Sequence, residues 1–392
     1  MFQRLHTALQ QIQQELAQVL DAAQITAACQ EAGYRFRSRL LDPVTTLHLF
    51  VLQILKGNFA IARLKDFSTK VFTEAAYCKA RGRLPLRVLQ TLLRRIGAAV
   101  QPTMDDTGRW QGHRTFHIDG SSFRMPDTPA LQKEFGQPGN QQPGCGFPVA
   151  HLLALFHAGT GFVLQVLAAP LRTHDLARAA LMHPELETGD VLVGDRAFGS
   201  FAHLALLVQR GLHGLFRAHQ KQIIDFRKGR PHNRPGRKRI KGWPTSRWLK
   251  RLGEQDQLVE YIKPKARPDW LSIAEYAALP ETLELRELRY AVTQPGYRTK
   301  EVTLVTSLVA ATTYAAADLA ALYGQRWRIE TNLRHLKQTM KREVLHCETV
   351  AGVLKELTVF ALVYNLVRAV MCVAAERQHV TVERMSFADA LG

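Results

Sequence analysis

The 392-residue chain is 46% hydrophobic and 22% charged, a globular balance that excludes a disordered or fibrous protein; its length exceeds what one hydrophobic core usually organises, so two or three structural units are expected. Lys and Arg number 52 against 34 Asp and Glu, and the net charge of +18 points to a polyanionic partner, either nucleic acid or an anionic membrane surface. The membrane reading fails on the sequence. The most apolar stretch, Leu357 to Ala375, is barely long enough to span a bilayer and holds Asn365 and Arg368. The N-terminal run interleaves Gln and Glu with apolar residues and lacks the continuous core of a signal peptide. Cys29, Cys78, Cys145, Cys347 and Cys372 are scattered and form no C-x-x-C pair, which suits a reducing cytoplasm and neither a disulfide framework nor a zinc site.

Residues 1–108 read as a helical N-terminal DNA-binding domain. Leu5, Leu9, Ile12, Leu16 and Leu20 form one apolar stripe, and a second helical block follows Pro43. The run from Phe72 to Gly97 reads as two helices joined near Gly82, with Pro85 suited to a first turn. With Lys79, Arg81, Arg83 and Arg87 nearby, this pair is either a DNA-docking helix-turn-helix or an ordinary hairpin with a solvated basic face.

From residue 109 to 216 three β-like runs (RTFHIDGSSFRM, VAHLLALFHAG, GFVLQVLAAP) precede a helix, the strand DVLVGDRAF and the helix SFAHLALLVQRG, which predicts an α/β fold with a mixed sheet flanked by helices. Gly136 to Cys145 reads as a loop. Residues 217–251 then hold 13 Lys or Arg and one acid, Asp225, so this window supplies +12 of the +18. Trp243 and Trp248 lie within it, and Arg237, Lys238 and Arg239 make its densest basic run, a nucleic-acid surface in which phosphate contacts combine with base stacking. Strand-like runs fill the rest of a β-rich insertion to residue 300, and 301–392 returns to the core and becomes helical.

Three carboxylates are candidates to carry chemistry. Asp119 is expected to close a strand before Gly120, and Asp195 another before a helix, where α/β proteins commonly meet their ligands; each residue type is also a common turn former or helix cap. Downstream, Tyr323, Arg326, Glu330 and Lys337 lie within about a 60° arc if the segment is one helix turning about 100° per residue, with Trp327, Ile329, Leu333 and Leu336 in other directions. Two strand-end acids and one helix acid suit two-metal phosphoryl transfer, because hard Mg²⁺ takes oxygen ligands and keeps water and substrate phosphate.

Asp119, Asp195 and the spacing Tyr323-(2)-Arg326-(3)-Glu330-(6)-Lys337 resemble the IS4 family of bacterial DDE transposases, and the similarity extends through AYCKARGRL and GDRAF, over about residues 45–370. The resemblance implies an RNase H-like core interrupted by a β-rich insertion, and cut-and-paste movement of an insertion sequence. Water-dependent nicking at the element end would free a 3′-OH, a hairpin would form and reopen, and the end would join target DNA. It implies Asp119, Asp195 and Glu330 as catalytic ligands of two Mg²⁺ ions, Mn²⁺ substituting, with Tyr323, Arg326 and Lys337 on phosphates. An insertion-domain Trp (Trp243, Trp248 or Trp270) would hold a flipped base. It further implies double-stranded DNA, both terminal inverted repeats and target, as partner, and a homodimer in the DNA-bound complex. About 15 residues follow the last long helix, so the large C-terminal dimerisation domain of some relatives is expected to be missing. Asp127 and Asp175 compete for the role of the first acid.

The alternatives are a catalytically inactive, transposase-derived DNA-binding protein and a metal-dependent nuclease without strand transfer. The histidines form no H-E-x-x-H pair and no G-x-x-x-x-G-K-[ST] run occurs, which argues against zinc hydrolysis and ATP use.

Overall fold

The structure, a computed structural model, describes residues 20–391 apart from 69, 100–108, 140–141, 143–144, 172, 174, 293–300 and 340–344. The expected stripe from Leu5 to Leu16 lies outside the described residues. Among the described residues the helices are α1 (Ala22–Glu31), α2 (Pro43–Leu55), α3 (Ile61–Leu64), α4 (Glu74–Arg83), α5 (Leu86–Ala99), α6 (Pro129–Phe135), α7 (Asp175–Ala179), α8 (Phe201–Gln209), α9 (Ile273–Ala277), α10 (Ala316–Gly324), α11 (Trp327–Thr339), α12 (Val350–Gln378) and α13 (Phe387–Leu391). The strands are β1 (Thr115–Arg124), β2 (Val149–His157), β3 (Val163–Pro170), β4 (Val191–Gly194), β5 (His213–Arg217), β6 (Arg247–Gly253), β7 (Asp256–Ile262), β8 (Thr282–Ala291) and β9 (Glu301–Thr306). The expected α/β class with helices in front of a mixed sheet is borne out.

The chain divides into two compact units: one of Met1–Thr107, Gly120–Thr173 and Glu330–Gly392, the other of Gly108–Asp119 and His174–Ile329.

The first unit is mainly helical and is organised around α12. Asp42 caps α2 by accepting the Thr45 N–H at 2.8 Å, with Pro43 in the first turn, and Thr73 caps α4 in the same way through Ala76. Apolar residues of α12 such as Val359, Phe360 and Val363 are fully buried. The polar groups that spoiled a membrane reading of this helix are buried too, and each is satisfied. Asn365 both accepts from the Val163 N–H (2.9 Å) and donates to the Val163 carbonyl (2.8 Å), while Arg368 donates to the Thr160 carbonyl. Gly161 lies beside them at φ +72°, and the Arg368 guanidinium fills the space a side chain there would need. Glu356, also buried, accepts from the backbone of His346 and Cys347 and from Asn58. Thus α12, though long and apolar enough to cross a membrane, is a core helix whose polar groups are spent within the unit. Strands β2 and β3 form an antiparallel hairpin in this unit, beside the Gly120–Arg124 end of β1.

The second unit holds the sheet β1-β4-β5-β9-β8-β7-β6, in which β1, β4 and β5 run parallel and the other pairings are antiparallel. Its core gathers Val191, Val193, Leu215, Leu288, Leu304, Leu319, Leu322 and Tyr323. The basic stretch after β5 is an irregular loop tied down by a buried group: Arg230 donates to the Asp225 carbonyl (2.7 Å) and to Ser246 O and Oγ (2.6 and 2.8 Å). Its Nη2 faces Glu287 of β8 at 3.8 Å, and Glu287 also accepts from Gln257 and Tyr261. Burial pushes the Glu287 carboxyl above its ordinary range, against the pull of Gln257 and Arg230.

Candidate active site

Register is set at the start of β1 and β4. Arg114 and Asp190, each one residue before its strand, form a buried bidentate pair (Nε–Oδ1 2.8 Å, Nη2–Oδ2 2.7 Å). From there Thr115 pairs with Val191 and Ile118 with Gly194, while Gly194 pairs with Phe216 of β5. Carried one step further, the register sets Asp119, Asp195 and Arg217 level with one another across the ends of three parallel strands about 4.8 Å apart. Gly194 has no room for a side chain: a Cβ would stand 2.8 Å from the Phe198 ring and 3.0 Å from Ile118.

Asp119 does not close its strand, as the sequence reading expected, because β1 continues to Arg124. It stands where β1 stops pairing with β4 and passes into the other unit. Its half-buried carboxylate faces Arg326, Nη1 to Oδ2 at 3.6 Å. Asp195 is partly a turn former: its Oδ1 accepts the Ala197 N–H at 2.7 Å. It is not the cap of α8, a role Ser200 takes by accepting from His203 N.

The single helix expected around Tyr323 is instead two. Helix α10 ends at Gly324, and Gln325, Arg326, Arg328 and Ile329 donate to carbonyls three residues back, a tightened turn that restarts the chain as α11. The common arc is therefore broken. Tyr323 is buried in the sheet core, whereas Glu330 is exposed and Lys337 half-buried. Ile329, Leu333 and Leu336 are buried as expected, but Trp327 is 48% exposed. Burial pushes the Tyr323 hydroxyl up to about 12, opposed by Arg326 and Arg217 and reinforced by Asp195 and Tyr290, so it is a neutral hydrogen-bond donor at neutral pH.

The second unit thus brings together Asp119, Asp195, Tyr323 and Arg326. Glu330 and Lys337 belong to the part of α11 in the other unit. Arg217 and Tyr290 were missed by the sequence reading. Arg217 ends an apolar run (HGLFR) just as Asp195 ends VLVGD, a signal hidden by counting it only as one charge of the basic window.

Arg237, Lys238 and Arg239 are exposed on a loop tip closed by Asn233, which accepts from Ile240 N (2.7 Å) and donates to the carbonyls of Ile240 and Trp243. The indole N–H of Trp248 is buried with no hydrogen-bond partner among the described residues. Asp127 is exposed and accepts from Gln132 at 2.7 Å.

The donor set fits a hard divalent ion in chemistry, since Asp119 and Asp195, the residues after the last β1–β4 pair, both offer carboxylate oxygens. Among the described residues no three His, Cys, Asp or Glu side chains are grouped closely enough to hold a metal by themselves.

Among curated proteins the chain is similar to the transposase InsG for insertion sequence element IS4 of Escherichia coli (strain K12), 28% identical over 297 residues, which are 72% of this chain and 58% of that protein. The chain therefore spans less than two thirds of that relative's length. Among solved structures it is similar to the piggyBac transposase in a cryo-EM synaptic complex with hairpin DNA, with a TM-score of 0.43 and 12% identity, over 97% of this chain and 76% of that one. A family model for the transposase DDE domain matches residues 110–366, a segment that holds Asp119, Asp195 and Glu330, and the chain belongs to that family.

Proposed function

We propose that the protein is a DNA transposase that cuts double-stranded DNA at the ends of an insertion sequence and joins the freed 3′ ends to target DNA. The observation that carries this reading is the register Ile118–Gly194–Phe216 across three parallel strands, after which Asp119, Asp195 and Arg217 come next in each segment, with Arg326 on Asp119. The strand orders β3-β2-β1 in one unit and β1-β4-β5 in the other support an RNase H-like core.

Asp119, Asp195 and, from the sequence signature, Glu330 would hold two Mg²⁺ ions, for which Mn²⁺ could substitute. When bound, these would supply activation of the attacking oxygen and stabilisation of the leaving one. Arg326 and Arg217 fix the phosphate beside the two acids, and the neutral Tyr323 hydroxyl adds a donor without adding charge. Lys337 contacts the backbone near the cleaved end. Arg237, Lys238 and Arg239 track phosphates further along the duplex from a loop that Arg230 holds in place. In the DNA-bound complex the protein is a homodimer that pairs two ends.

The test is a duplex carrying the element end, incubated with Mg²⁺ and either wild type or Asp119→Asn. Nicking by wild type and none by the variant, at equal DNA binding, supports the reading. Equal nicking by both overturns the assignment of Asp119, and DNA binding without nicking by wild type favours a DNA-binding derivative that has lost catalysis.

A further inference from the structure

The segment after α12 folds back on that helix. His379 ends α12 in the left-handed region at φ +52°, and its N–H donates to the Glu376 carbonyl at 3.1 Å. In the turn that follows, Arg384 and Met385 donate to carbonyls three residues back. Ser386 then starts α13 by accepting the Asp389 N–H at 3.3 Å. From Thr381 to Ala390, Phe387 alone is buried, at 2% exposed. The segment therefore delivers one phenyl ring to the interior of the first unit.

That ring meets two helices. It stacks on His335 of α11, with centroids 4.5 Å apart and planes 8° from parallel, and on Tyr364 of α12, at 5.6 Å and 27°. Tyr364 is fully buried, donates its hydroxyl to the Gly161 carbonyl at 2.7 Å and lies edge-on to Phe156 of β2 at 5.9 Å. Rings from β2, α12, α13 and α11 thus form one connected row within the first unit. Burial, together with Arg368 and Arg334, lowers His335 to about 4, so at neutral pH the stack on Phe387 joins two uncharged rings.

Helix α11 needs such a support. It follows the tightened turn at Gln325–Ile329, so α10 does not impose its direction, and what packs on its own side chains sets it. Leu333 and Leu336 are buried, but apolar contacts are non-directional, whereas stacked rings prefer one geometry. Glu330 precedes His335 by five residues, about 7.5 Å along the helix axis. Any change in the tilt or rotation of α11 therefore moves its carboxylate.

We propose that Phe387 is a positioning residue: stacked on His335, it clamps α11 and so fixes where Glu330 presents its carboxylate. The proposal rests on the transposase reading for the role of Glu330, while the clamp on α11 stands apart from it.

The experiment compares the full chain with Phe387→Ala, His335→Ala, the double variant and Leu47→Ala, a buried position of α2. Amide hydrogen exchange followed by mass spectrometry reads the clamp without metal or DNA. Single-turnover cleavage of an element-end duplex reads its consequence, both as a rate and as the Mg²⁺ concentration that gives half the maximal rate. Phe387→Ala is expected to speed exchange through Leu333–Thr339 and to lower the cleavage rate by about 10²-fold, the loss that a misplacement of about 1 Å produces. It also raises the half-saturating Mg²⁺ concentration and leaves DNA affinity unchanged. His335→Ala does the same, and the double variant is no worse than either single one, because both remove one contact. Leu47→Ala lowers the melting temperature but keeps wild-type exchange in α11 and wild-type Mg²⁺ dependence, which separates positioning from a general loss of stability. Rate losses that multiply in the double variant, or unchanged exchange in α11 of Phe387→Ala, overturn the proposal. Should Phe387→Ala fail to fold, Phe387→Leu, which keeps apolar bulk without the flat ring, takes its place, and unchanged exchange and rate overturn the proposal. Wild type that does not cut, with faster exchange in Phe387→Ala, overturns the functional reading and leaves the clamp standing.

Discussion

Arg326 Nη1 lies 3.6 Å from Asp119 Oδ2, so the tightened turn between α10 and α11 is tied to the point where β1 leaves its pairing with β4. Both side chains are 22% exposed, and a partly solvated single contact of this length contributes less than about 1 kcal/mol to folding. Its value lies in where it holds a positive charge. Arg326→Gln is therefore predicted to shift the urea midpoint little while lowering the DNA cleavage rate by about 10²- to 10³-fold, the loss typical of one group that stabilises developing charge. A variant that cuts at the wild-type rate would remove Arg326 from the site.

The register that sets the two acids level depends on Arg114 and Asp190. Removing one partner of a buried bidentate pair leaves an uncompensated charge and costs about 3–5 kcal/mol. Arg114→Met is predicted to lose that much in urea denaturation, and Arg114→Met/Asp190→Leu to recover part of it. Equal stability of Arg114→Met and wild type would show that the strands hold register without the pair.

His183 and His203 are buried in the second unit with their Nε2 atoms 2.9 Å apart, and His203 Nδ1 donates to the Phe198 carbonyl at 2.8 Å. With His203 neutral, its Nε2 accepts from His183 Nε2–H, whereas protonating both rings would set two N–H groups against each other. Burial lowers His183 to about 3 and His203 to about 4, from an ordinary 6.5. The unfolded chain binds these two protons first, so the pair's stabilisation is complete above about pH 6.5 and is lost as pH falls from there toward 4. The melting temperature of wild type is predicted to fall steeply between pH 6.5 and 4.5, and that of His183→Leu/His203→Leu more gently. Parallel curves would contradict the assignment.

The basic loop gives a prediction of another kind. Ala at Arg237, Lys238 and Arg239 is predicted to weaken DNA binding and to reduce its salt slope by up to about 2.7, with the melting temperature unchanged because all three are exposed. Arg230→Met instead leaves Glu287 buried without its guanidinium, and is predicted to destabilise the second unit as well as weaken binding. A full salt slope in the alanine variant would move the phosphate contacts elsewhere.

Much of this was legible in sequence. The strand ending before Asp195, the helix after Ser200 and the long apolar α12 follow from local periodicity and capping, which short windows carry, whereas β1 runs on past Asp119 to Arg124. What periodicity could not carry was the turn at Gly324–Arg326, because a run of three-residue-back hydrogen bonds leaves the helical pattern of apolar residues on either side nearly intact. That break sends Tyr323 into the core. Nor could the sequence show Arg217 level with Asp195, since parallel pairing joins residues 22 positions apart through a connection that leaves no mark on either strand.

The central claim is a metal-dependent transposase whose third acid is Glu330. The most direct measurement compares wild type and Glu330→Gln on duplexes bearing the element end, scoring both cleavage and joining to target DNA, with Mg²⁺ and with EDTA. Cutting and joining by wild type only in Mg²⁺, both lost in Glu330→Gln while DNA affinity persists, is the predicted result. Cleavage that survives Glu330→Gln, or that proceeds in EDTA, would contradict it.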